Sequence, residues 1–399
     1  MKNSTLRCIL ALLSGSIGSA MAGQESEGVG FGFAASQRFV RESNLYRLAD
    51  GVDPQRGERA DWVSMTRLGG RFRQELGRQA FRLDAGVTAV RYRDNDHLDH
   101  EGVDADGRWD WRLGRALDGH LSFRQAQTLS SYDELSVETR SVNTYRRLEF
   151  VGDHALTPRW FWGLGASYTS SDYSGDTRPT AEYRARGLSL RGGYSGRAGE
   201  RLVLSVGRSK GDYPGRTATR FSDQSYTQND YRLSGNWAPS GVTRLNGYLG
   251  YLTRQYDFAD NRDYGGAVGR LEMAWQPTGK LRLTSHVRRE IGAQEDLVDN
   301  YVVTDAVLFR PIWSATDKID LAGELEFLRR DYGGDPGFLD GSLSEDRSER
   351  LRRVGVSAQF RYSRAVGFGA SLRWETRSAD ESAREYDAGI ASASASLQF

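Results

Sequence analysis

The sequence predicts an all-β fold, a transmembrane antiparallel β-barrel of 18 strands, with 16 as the alternative count. Three observations predict it. Long segments alternate apolar and polar residues, and no run has a helical period. Short turns and long polar loops follow one another along the chain. The chain also stops on an aromatic residue at the end of an alternating strand. There Ala391, Ala393, Ala395, Leu397 and Phe399 share one face, and Ser392, Ser394, Ser396 and Gln398 share the other. A terminal strand of this kind looks like the assembly signal of a bacterial outer-membrane barrel. Here Leu397 and Phe399 would carry it to the barrel-assembly machinery. An ordinary amphipathic strand that happens to come last is the competing reading.

The N-terminus sets the expected compartment. Lys2 and Arg7 precede a short apolar run, and Ala20-Met21-Ala22 has the small-x-small form of a signal-peptidase site. Residues 1–22 therefore read as a signal peptide and 23–399 as the barrel. Cys8 is the single cysteine and would leave with the signal, so no disulfide or thiolate metal site is expected. Losing Lys2 and Arg7 takes the formal charge from +1 to −1, and no basic tail suggests a nucleic-acid partner.

Composition alone would suggest a soluble protein, with 38% hydrophobic residues and a mean hydropathy of −0.61. No segment after residue 22 approaches the roughly 20 apolar residues of a membrane helix. Barrels escape that test because only alternate residues face lipid. Eight prolines, 46 glycines and 19 tyrosines favour turns and strands.

Taken in order, strands recur as hairpins. Tyrosines at 46, 92, 132, 173, 213, 256 and 332 each stand where an alternating strand meets a polar loop, with one missing near Glu290. The repeat of about forty residues would also suit a propeller, whose blades pack four short strands into that length. Only two strands fit each repeat here, and the single Trp109-Asp110 pair does not recur. In 103–113, Trp109, Trp111 and Leu113 alternate with Arg108, Asp110 and Arg112. The same alternation runs through 281–288, 319–327 and 366–375. Such strands need a closed barrel to leave no bare edge in lipid.

Short turns are expected near Gly77, Gly114, Pro158, Gly199, Gly241, Gly279, Asp317 and Arg364. Long loops are expected near 42–59, 94–102, 131–143, 172–180, 212–228, 257–263, 292–299, 331–348 and 378–385. Trp111, Trp160, Trp237, Trp275 and Trp313 lie beside short turns, and the periodic tyrosines beside long loops. Two aromatic girdles at the membrane interfaces are the expectation.

Several segments carry a family resemblance: Asn44-Leu-Tyr-Arg-Leu48, Leu156-Thr-Pro-Arg-Trp160, Gly211-Asp-Tyr-Pro214, Asp230-Tyr-Arg-Leu-Ser-Gly-Asn-Trp237, Pro277-Thr-Gly-Lys-Leu281, Arg288-Arg-Glu-Ile-Gly292 and Glu295-Asp-Leu297. The chain resembles the exosortase/PEP-CTERM-associated exopolysaccharide biosynthesis outer-membrane β-barrel family. The resemblance implies an outer-membrane component that passes polysaccharide. Its implied partners are exopolysaccharide, outer-membrane lipid and periplasmic polysaccharide-export proteins. It brings no catalytic signature and no cofactor.

Candidate chemistry is sparse. Asp94-Asn-Asp-His-Leu-Asp-His-Glu101 holds metal-ligand types, but its spacing fits no calcium loop, and a solvated external loop is the favoured reading. The five histidines form no triad signature with a serine, so an enzyme is not expected. Fifty of the 54 basic residues are arginine. Arg108, Arg112, Arg232, Arg244, Arg270, Arg282, Arg288, Arg353 and Arg373 have lumen parity, and forked guanidinium donors suit acidic sugars. Carboxylates including Asp104, Asp230, Glu272, Glu324, Glu326 and Glu375 share that face, so lining ion pairs are an equal reading. Two functions compete: polysaccharide export through an arginine-rich lumen, and a general diffusion porin for small hydrophilic solutes.

Overall fold

The computed structural model describes residues 30–399 except 131, 133–139, 177, 198, 220–221, 294–300 and 334–346. The expected signal peptide, its cleavage site and Glu295-Asp-Leu297 lie outside the described residues.

Alternation of period two produces 18 strands in one antiparallel sheet. The first six are β1 (Gly30–Glu42), β2 (Asp61–Leu76), β3 (Gln79–Tyr92), β4 (His100–Leu113), β5 (Leu117–Leu129) and β6 (Val142–Ala155). Next come β7 (Trp160–Tyr173), β8 (Tyr183–Ser195), β9 (Arg201–Asp212), β10 (Ser225–Ser240), β11 (Thr243–Tyr256) and β12 (Tyr264–Trp275). The last six are β13 (Leu281–Ala293), β14 (Tyr301–Thr316), β15 (Ile319–Gly333), β16 (Ser348–Arg361), β17 (Val366–Ala379) and β18 (Tyr386–Gln398). At 12 to 16 residues each exceeds the roughly 9–11 that a tilted strand needs to span a bilayer.

Each strand pairs with its chain neighbours, and β1 also pairs with β18, which closes the barrel. The seam runs from Glu42 opposite Ile390 to Ala34 opposite Gln398. It continues to the last residue: Phe33 N donates to Phe399 O at 3.0 Å, and Phe399 N donates to Phe33 O at 2.9 Å. Closure therefore uses the main chain of the terminal aromatic itself, leaving no open edge. The eight short turns fall where the sequence predicts them. Gly77 and Gly114 take the left-handed conformation (φ 62° and 60°) that such tight turns require.

The outer face is apolar. Leu188 and Leu249, each 73% exposed, would be costly in water and suit a lipid-facing band. Trp160, Trp237, Trp275 and Trp313 project outward beside the short turns, forming the girdle expected there. The tyrosine girdle is not found. Tyr46, Tyr92, Tyr132, Tyr213, Tyr256 and Tyr332 are buried. Tyr92, Tyr256 and Tyr332 have the strand parity of the lumen, and Tyr46, Tyr132 and Tyr213 pack with them or their neighbours from the loops. One inner cluster joins Tyr46, Tyr92, Leu98 and Tyr132 to Val40 and Val142. A second joins Tyr213, Tyr226, Tyr256 and Tyr264 to Leu252 and Val268. At the long-loop end Trp62 and Phe39 are exposed and outward, with Arg41 5.9 Å from the Trp62 ring centre.

The loop after β3 is only in part the solvated segment expected: Asp94, Asp96 and Glu101 are exposed, but the residues between them turn inward. Asn95 and Leu98 are fully buried. Asp61 accepts hydrogen bonds from the Asn95 main chain at 3.0 Å and its amide at 2.8 Å, and the Tyr46 hydroxyl donates to Asn95 Oδ1 at 2.8 Å. Polar side chains that looked like metal ligands are instead spent on satisfying one another in the mouth. No group of three or more His, Cys, Asp or Glu among the described residues could hold a metal ion.

Candidate functional site: the lumen wall

Along each strand the residues opposite the apolar face point inward, so the lumen is lined by arginine, carboxylate, serine and tyrosine. The wall made by β2 to β5 is a lattice of ion pairs. Arg73 meets Asp84 at 2.9 Å and Arg108 meets Asp110 at 2.7 Å. Arg67 pairs with Asp104, Arg82 with Asp110 and Arg124 with Asp106. These groups face inward yet stay accessible: the Arg82 side chain is 50% exposed and that of Asp84 48%. This side of the lumen is therefore accessible to solvent. On the seam, Ser392, Ser394 and Ser396 face inward beside Ser371, Gly369 and Gly367 of β17, so small residues keep that part of the wall thin.

Toward the long loops, the wall made by β15 to β18 buries the same chemistry. Arg47, in the loop after β1, turns inward through a left-handed backbone (φ 58°). Its guanidinium donates to Glu375 at 2.8 Å and to Glu42 at 3.0 Å. Glu375 also accepts from Arg353 at 3.1 Å and from the Tyr386 hydroxyl at 3.0 Å. Arg353 in turn reaches Glu326 at 2.9 Å. Burial works against the charge on Arg47, but Glu42 and Glu375 outweigh it and hold its pKa well above the usual guanidinium value. A second knot surrounds buried Glu349, which accepts from Arg384 at 2.7 Å and from Tyr332 at 3.1 Å. Arg330 and Arg377 also lie within 4.0 Å of it. Arg384 shows the same balance as Arg47: burial opposes its charge, and Glu349 more than compensates. Both knots tie long loops to the wall.

All nine arginines singled out from the sequence have inward parity, and they fall into two groups. Arg232, Arg270, Arg288 and Arg353 are buried. Arg232 pairs with Asp230 at 2.8 Å, Arg270 with Glu272 at 2.5 Å and Arg288 with Glu290 at 3.5 Å. Each of these partners sits two residues away on the same strand face, the shortest same-face spacing that a strand offers. Arg232 also lies 4.3 Å from the Tyr248 ring centre. Arg112, Arg244 and Arg282 are exposed near the short turns, while Arg108 and half-buried Arg373 stand further along the wall. Arg270 and Arg288 are direct cross-strand neighbours, whereas Arg282 lies opposite Ile312. Sequence reasoning missed Arg47, Glu349, Arg254 and Arg377. Arg254 and Arg377 share parity with Arg244 and Arg373, which would have found them. Arg47 lies in a loop and has no such signal.

No family model matches the chain, and no curated protein matches it. Solved structures share its architecture at low identity. The outer membrane protein OpdK from Pseudomonas aeruginosa is 12% identical, with 92% of this chain and 99% of that one covered at a TM-score of 0.50. The same organism's OccK2 (OpdF), in complex with glucuronate, is 14% identical over 94% of this chain and 99% of that one, with a TM-score of 0.52. OpdK with vanillate gives 11% identity, 92% and 99% coverage and a TM-score of 0.50.

These findings correct the expectation of polysaccharide export. Two of these similar structures hold vanillate and glucuronate, each a single small carboxylate. Of the nine arginines expected to form a track for an acidic polymer, Arg112, Arg244 and Arg282 stand exposed near the short turns, while Arg232, Arg270, Arg288 and Arg353 are buried against carboxylate partners. A guanidinium already paired in this way has little charge to offer a passing polyanion.

Proposed function

We propose that the chain is an outer-membrane channel for small hydrophilic solutes, reached after removal of residues 1–22 and acting without a chemical step. The observation that carries this reading is the β2–β5 wall, where charged side chains point into the barrel and remain up to 50% exposed. Groups this polar stay exposed only where water reaches them, and water beside an 18-stranded wall is a path for solutes. The neighbours that hold glucuronate and vanillate make small carboxylates the first solutes to test.

The test is proteoliposome swelling with purified protein. Arabinose and glucuronate should enter, and a dextran should not. Liposomes that swell no faster than protein-free ones with either small solute would overturn the reading.

A further inference from the structure

The outward face carries charge where a lipid-facing band should have none. A groove of about 1190 Å³ crosses the exterior from β8 to β16. Part of its floor is one cross-strand register row, Leu271–Val287–Val307–Phe327, and that row ends on Arg352 of β16. The next row toward the long loops reads Arg289–Asp305–Arg329–Arg350. Arg289 meets Asp305 at 3.4 Å and Arg329 meets Asp331 at 2.8 Å, while their own side chains stay more than half exposed. Arg350 and Arg352 are exposed and have no ion-pair partner among the described residues. Four guanidinium groups against two carboxylates leave a net charge of +2 at this end of an apolar groove.

We infer that the groove holds an acyl lipid with a phosphorylated headgroup, its chain along Leu271–Phe327 and its phosphate on Arg350 and Arg352. Charge complementarity and shape argue for this occupant together. Forked guanidinium donors match phosphate oxygens, and the leucine, valine and phenylalanine floor matches a hydrocarbon chain. The height of the site agrees. Arg350 is the third residue of β16, beside a long loop, so its row stands at headgroup level and the apolar row, with Arg352 at its end, begins two residues further from the loop. Unpaired arginines facing hydrocarbon would be costly, whereas at that level they are neutralised by phosphate.

The test is native mass spectrometry of the full barrel in a neutral maltoside, titrated with dioctanoyl phosphatidic acid and, separately, with dioctanoylglycerol. Wild type should bind the phosphate lipid about tenfold more tightly than the neutral one. Arg350→Gln with Arg352→Gln should abolish that preference. Arg184→Gln with Arg186→Gln, an exposed outward pair at the opposite end of β8 from the groove-lining Tyr194, should leave it intact. Val307→Trp, which fills the floor and keeps every charge, should weaken both lipids. Equal binding of the two lipids by wild type overturns the inference, as does equal loss in the two arginine double variants, which would indicate a general basic rim. Heat-modifiable mobility identifies variants that fold. Lipid retention is independent of solute passage, so failure of the channel reading leaves this test unchanged.

Discussion

The β2–β5 wall and the β15–β18 wall use the same residues to opposite ends. Each sets arginine against carboxylate at hydrogen-bonding distance on the inner face. In the first wall the pairs stand in water, so each is worth about 0–1 kcal/mol and leaves a charged surface for solutes. In the second, Arg47, Glu42, Glu375 and Arg353 are buried together, and losing Glu375 takes a carboxylate from two buried guanidiniums at once. Ion-pair geometry alone therefore does not reveal a role. Solvent access decides whether a lumen arginine conducts or clamps.

The largest effect that would break this contrast is on the clamp. Glu375→Ala should destabilise the refolded barrel by about 3–5 kcal/mol, because it leaves Arg47 and Arg353 buried without their shared carboxylate. Urea unfolding followed by tryptophan fluorescence measures it. A loss below about 1 kcal/mol would mean that hydrophobic packing around Tyr46 and Leu45, rather than charge, holds the loop after β1. Tyr46→Phe is a smaller probe of the same mouth. It removes the hydroxyl that donates to Asn95 Oδ1 at 2.8 Å and should cost about 1 kcal/mol. Asn95 Oδ1 still accepts from the main chain of Glu58 at 3.0 Å, so it is not left unsatisfied and the cost stays small.

The barrel was legible in the sequence because its signal repeats. A period of two survives through every strand, and glycine or proline marks many of the short turns, so strand number and closure could be read without contacts. The tyrosines were misplaced because they were judged by nearness to loops. Parity would have put Tyr256 on the face of Arg254 and Tyr332 on the face of Arg330. The buried knots were not legible. Arg47 lies in an aperiodic loop, and its partner Glu375 is 328 residues away in the chain. Nothing local marks which arginines the mouth will close over. Parity reports which way a side chain points, not how much water it meets there.

The smallest expected effect on stability is also the sharpest test of the comparison. Arg67→Gln with Arg73→Gln removes two guanidiniums from the watery wall and leaves Asp104 and Asp84 facing the lumen. Stability should fall by no more than about 1 kcal/mol per pair, since exposed pairs contribute little. Selectivity should change far more. Two positive charges are lost from a confined aqueous path whose walls focus the field, so the channel should shift toward cations. Reversal potentials under a potassium chloride gradient in planar bilayers measure that shift. The matching change on the buried side, Arg270→Gln with Arg288→Gln, should do the reverse. It removes two buried guanidiniums and their pairs with Glu272 and Glu290, so refolding yield should drop while the selectivity of inserted protein stays near wild type. If both double variants shift the reversal potential equally, solvent access does not separate the two kinds of arginine. The whole inner face would then have to be treated as one charged surface.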